Sequence, residues 1–174
     1  MHRTRILTAL ALLFVISLMA ASSPATAGEK VTILLRAEVL IAEDSGASSN
    51  VREECKLGTK LTQFIKTYAK NPTVTLRNDP IDEAEGKVLI LEIVNVVGPG
   101  GGVWSGAKSI RIKGELLENG EVIGTFTAAR FSGGGAFGAY KGTCSILGRC
   151  VKASGSDIAK WLANPTMNAM LGDA

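Results

Sequence analysis

The chain is nearly devoid of histidine. Its single one, His2, lies in a segment expected to be removed, which leaves residues 28–174 with none. That excludes Ser-His-Asp and Cys-His nucleophile pairs from the mature protein, together with every His-ligated metal site. Aromatic residues make up only 5% of the chain, few for a site that stacks sugars. Beyond the N-terminus no apolar run is long enough to span a bilayer. Val88 to Val97 comes nearest, but it is short and interrupted by Glu92 and Asn95. No Cys follows the first apolar run, so the usual lipid-attachment site of bacterial lipoproteins is missing.

What is present begins with a basic head, Arg3 and Arg5, followed by the apolar stretch Ile6 to Ala21 and the small-residue ending Ala25-Thr26-Ala27. This pattern predicts a secretory signal peptide over residues 1–27, cut between Ala27 and Gly28. The mature protein is then expected in the periplasm or secreted. Cleavage removes two arginines and no acid, so the whole-chain charge of +3 overstates how basic the working protein is. A near-neutral domain with scattered basic residues gives no reason to expect nucleic acid or an anionic membrane as partner.

Residues 28–165 read as one domain and 166–174 as a flexible C-terminal tail. Val31 to Ile41 is β-rich and reads as a strand, followed by a polar loop, Glu43 to Asn50. In Glu53 to Ala69 the apolar residues Leu57, Leu61, Phe64, Ile65 and Tyr68 fall on one helical stripe, which Asn71-Pro72 closes. Thr73–Arg77, Lys87–Val97, Ala107–Leu117 and Glu121–Ser132 read as strands. Asn119-Gly120 between the last two is the signature of a tight type I′ hairpin, because both residues accept positive φ. Thr143 is placed as N-cap of a second helix running to Asn164-Pro165, which Gly155 is expected to weaken or break. The order β-α-β-β-β-β-α predicts an α+β fold: a mostly antiparallel sheet with both helices on one face.

Three further stretches carry a resemblance. They are Trp104 to Ser109, the Glu118-Asn119-Gly120-Glu121 turn, and Gly142 to Leu147 taken with Asp157 to Leu162. Together they resemble small exported proteobacterial proteins grouped as a family of unknown function. The element order is similar to the α/β domain of the TolB N-terminal region and of outer-membrane activators of penicillin-binding proteins. The resemblance implies an exported α/β module and brings no catalytic residue with it.

Cys55, Cys144 and Cys150 in an exported chain imply one disulfide and one leftover thiol. On a single helix Cys144 and Cys150 stand about 9 Å apart along the axis, beyond bridging reach. Cys150 shares the apolar stripe with Ile146 and Val151, whereas Cys144 lies off it. The expected bond is Cys55–Cys144, with Cys150 a buried thiol; the alternative is three reduced core thiols.

Gly133 to Gly138 spells G-x-G-x-x-G, but its preceding strand belongs to an antiparallel hairpin and no strand follows. A dinucleotide site needs a parallel βαβ unit, so no cofactor is expected. Asp79, Asp82, Glu83 and Glu85 match no Ca²⁺ loop, and no metal is expected. Trp104 lies in the first glycine-rich loop, and Phe137 and Tyr140 in the second. Aromatics on such loops serve as anchors for a partner, or pack locally against the sheet end. The resulting expectation is a non-enzymatic binding module of the bacterial cell envelope that engages another envelope protein. The alternatives are a small hydrolase using carboxylates alone on envelope polysaccharide, and a secreted factor acting on other cells.

Overall fold

A computed structural model describes residues 31–81, 84–98, 107–133 and 141–174. The strands are β1 (Thr32–Arg36), β2 (Leu40–Ile41), β3 (Thr73–Arg77), β4 (Lys87–Val97), β5 (Lys108–Glu118), β6 (Glu121–Ser132) and β7 (Ala169–Gly172). The helices are α1 (Ser49–Glu54), α2 (Leu57–Tyr68) and α3 (Thr143–Trp161). The fold is α+β, built on one mixed seven-stranded sheet in the order β3-β1-β4-β5-β6-β7, with β2 also pairing with β4. The long ladders β4–β5 and β5–β6 are antiparallel. The flanking ladders β1–β3, β1–β4, β2–β4 and β6–β7 are parallel.

Alternation along the central strands sets the two faces of the sheet. In β5, Ile110, Ile112 and Leu116 are buried while Arg111, Lys113 and Glu115 are exposed. The buried set meets Leu57, Leu61 and Ile65 of α2 and Leu147, Val151 and Ile158 of α3 in one core cluster. Each such side chain contributes roughly 1.5–3 kcal/mol when fully removed from water. The hairpin turn has Asn119 at φ 52° and Gly120 at φ 84°, the left-handed pair that a type I′ turn requires.

Several expectations are corrected. The strand foreseen over Val31–Ile41 is two strands, because residues 37–39 leave the ladder. The helix foreseen over Glu53–Ala69 is also two. Lys56 adopts φ 48°, ψ 46° between α1 and α2. That break lets α2 begin against the backbone of Val39, where Gly58 leaves no room for a β-carbon. Thr143 is the first helical residue of α3, with Gly142 at the N-cap. Gly155 does not break α3; it lies against Phe64 of α2.

The tail is not loose. Residues 169–172 form β7 beside β6, with Ala169 and Leu171 packed on the core. Asn168 N–H donates to Thr125 Oγ1 at 2.8 Å, and Asp173 accepts from Arg130 Nη1 and Phe131 N–H, both at 3.1 Å. The short C-terminal segment is placed here by a free sheet edge and an arginine, neither of which is visible in its own composition.

Candidate functional site

Register locates the glycine-rich segments. Val97 at the end of β4 is opposite Ser109, and Lys108 at the start of β5 is opposite Ser132 at the end of β6. Both segments therefore leave the sheet at one end, as two successive strand reversals require. The Asn119-Gly120 turn is at the other end, fastened to Gly86 by Asn119 N–H donating to Gly86 O and Gly86 N–H donating to Asn119 Oδ1, each at 2.9 Å.

At the loop-bearing end the Cys55–Cys144 disulfide ties the C-cap of α1 to the first turn of α3, with the two Cα atoms 4.8 Å apart. Beside it opens a cleft of about 520 Å³, lined by Glu54, Gly98, Gly142 and Thr143 among others. Gly98 begins the first glycine-rich segment and Gly142 ends the second. The cleft thus marks where the two segments meet the body of the domain.

Arg52 organises the neighbouring connector. Its guanidinium donates to the carbonyls of Ile41 (2.8 Å), Ala42 (2.7 Å), Glu43 (2.9 Å) and Ala47 (3.3 Å) and to Ser45 Oγ (3.0 Å). Ser45 O in turn accepts from Val96 N–H at 2.7 Å, which pins the connector to the end of β4. A planar fork with five donors can gather so many carbonyls at once; an ammonium cannot.

Cys150 is the free thiol, buried at 2% exposure, with its S–H directed at Lys108 O at 3.8 Å. Burial pushes its pKa up, partly offset by the charge of Arg149, so the neutral thiol is favoured. On the helical face of the sheet Arg130 donates through Nε to Asp157 Oδ2 at 2.7 Å, an ion pair reinforced by Asp173. The hydrogen bond that Arg130 donates to Asp157 is the main cause that raises its pKa. This trio joins β6, α3 and the C-terminus and is explained by packing alone.

Of the residues singled out from sequence, Trp104, Phe137 and Tyr140 lie outside the described residues, as do Ala27 and Gly28 at the cleavage point and Asp82 and Glu83 of the acidic loop. Asp79 forms an exposed ion pair with Arg77 at 3.2 Å. Sequence reasoning missed the Arg52 clamp. It also missed a hollow bordered by Glu38 and Glu92. Both depend on where the chain between β1 and α1 detours, which no local pattern encodes.

No family model matches this chain, and no curated protein matches it. Solved structures with a similar course of the chain include the PelC dodecamer from Paraburkholderia phytofirmans. It is 12% identical with a TM-score of 0.45, over 72% of this chain and 86% of that one. A neuraminyllactose-binding hemagglutinin homologue from Helicobacter pylori is 15% identical with a TM-score of 0.44, over 78% and 84%. A Xanthomonas campestris protein of the DUF330 family is 14% identical with a TM-score of 0.45, over 81% and 88%. At these identities and scores the likenesses assign no activity or site residue.

Proposed function

We propose that the protein is an exported, non-enzymatic binding module of the bacterial envelope, and that it engages a partner protein at the end of the sheet that carries the glycine-rich segments. One observation supports this most: the described anchors of both segments, Gly98 and Gly142, line a single cleft stiffened by the Cys55–Cys144 bond. A covalently braced rim is a suitable base for recognition loops, which work best on a rigid scaffold. Trp104, Phe137 and Tyr140 are the anchors this reading assigns to the partner, since buried aromatics dominate interface energetics. The oxidised bond fits a periplasmic or secreted location.

The test is affinity capture from envelope extract with the mature protein and with Trp104→Ala and Tyr140→Ala. The expected outcome is a defined partner recovered by the wild type and lost from both variants, with melting temperatures unchanged. Unfolding of both variants, or capture that ignores them, would sink this assignment.

A further inference from the structure

The parallel ladder on one side of β4 is interrupted. Leu35 is opposite Leu89, and the ladder resumes only at Leu40 opposite Glu92. Four residues on that side, 36–39, thus span two of β4, and Ile90 and Leu91 have no register partner there. The detour leaves a hollow of about 310 Å³ with Val39, Ile81 and Ile90 in its apolar lining. Ile81 is 3% exposed yet stands outside the main core cluster, as does Val88. The lining of the hollow thus joins Val39, part of the main core, to Ile81, which stands outside it. Leu40, on the same wall, is 66% exposed.

Two exposed carboxylates, Glu38 and Glu92, border the hollow. Neither forms an ion pair among the described residues, even though Lys113 is the register partner of Glu92 on β5. Arg36 also lines the wall and has its own interaction. An apolar floor under two unpaired carboxylates is complementary to an apolar body that carries a positive charge. The volume suits a small ligand of about ten non-hydrogen atoms at one water-sized volume each, near the lower end of ligand sites.

We propose that this hollow is a binding site for a small hydrophobic amine, with the apolar part on Val39, Ile81 and Ile90 and the ammonium between Glu38 and Glu92. The site is separate from the loop-bearing end and stands whether or not that end binds a protein.

The experiment titrates the full mature chain with 4-phenylbutylammonium and follows amide shifts by NMR. 4-Phenylbutanol and 4-phenylbutyrate serve as the neutral and anionic counterparts. The amine is expected to bind most tightly and the carboxylate most weakly, with shifts centred on Leu40, Ile90 and Leu91. Glu38→Gln with Glu92→Gln should weaken the amine about tenfold while leaving the alcohol unchanged, the loss of a charge-assisted contact. Leu40→Ser should weaken amine and alcohol alike. The proposal is overturned if the carboxylate binds as well as the amine, if the glutamine variant retains full amine affinity, if the shifts map elsewhere, or if none of the three compounds binds.

Discussion

Gly155 of α3 packs so closely on Phe64 of α2 that a β-carbon at position 155 would come within 2.7 Å of the Phe64 Cβ. The close approach explains a glycine in mid-helix, where it costs about 1 kcal/mol against alanine. Gly148, on the same helix, has nothing near its virtual β-carbon. The two positions should therefore respond with opposite sign. Gly148→Ala should stabilise by about 0.5–1 kcal/mol, whereas Gly155→Ala should destabilise by about 1–3 kcal/mol through overpacking. Urea unfolding of the two single variants checks this, and equal stabilisation by both would contradict the packing.

The disulfide closes a sequence separation of 89 residues. In the chain-entropy model a loop of that length is worth about 4–5 kcal/mol, and measured values often fall short. Cys55→Ser with Cys144→Ser should lower stability by several kcal/mol without changing the fold. Under non-reducing conditions the native protein should resist alkylation, and Cys150 should react only on unfolding. Rapid labelling of Cys150 in the folded state would contradict its burial.

The parts of the fold that follow from local chemistry were legible in the sequence. Alternation in β5, the stripe Leu57-Leu61-Ile65 and the Asn119-Gly120 turn each state their conformation within a few residues. The failures share one cause, since each depends on a distant contact. Lys56 is left-handed because α2 must start against Val39. The C-terminal residues are a strand because β6 offers a free edge and Arg130 a cation. At the candidate site, helical geometry argued against a Cys144–Cys150 bond and left Cys55–Cys144 as the expected pair, while the helix break next to Cys55 was not readable. The Arg52 clamp and the Glu38–Glu92 hollow were not, because both arise from the course of the chain between β1 and α1.

Cys150 gives a pH dependence with a definite sign. Its folded pKa lies above the ordinary value of 9.0 because burial disfavours the thiolate. The unfolded chain thus loses this proton first as pH rises. The stability tied to the neutral thiol is fully present below about pH 9 and is lost as pH climbs through the folded pKa. Compared with Cys150→Ala, the wild type should lose more stability as pH rises above about 9. Parallel curves for the two proteins would show that the site does not titrate this way.

Arg52→Lys should be costly although it keeps the charge. An ammonium has three donors and cannot reproduce the fork that gathers Ile41, Ala42, Glu43 and Ala47. A loss of about 2 kcal/mol is expected, with faster amide exchange over residues 42–47, since carbonyls there lose their donors. Unchanged exchange in that connector would mean that the clamp contributes nothing.

Site-specific photo-crosslinking in the native envelope tests the central claim most directly. A benzophenone side chain is placed in turn at Glu54 and Lys141, beside the loop-bearing end, and at Asn119, at the opposite end of the sheet. If the glycine-rich end is the recognition surface, probes at Glu54 and Lys141 should yield a discrete crosslinked partner and the probe at Asn119 none. Crosslinks from Asn119 alone, or equally from all three positions, would contradict a single binding end.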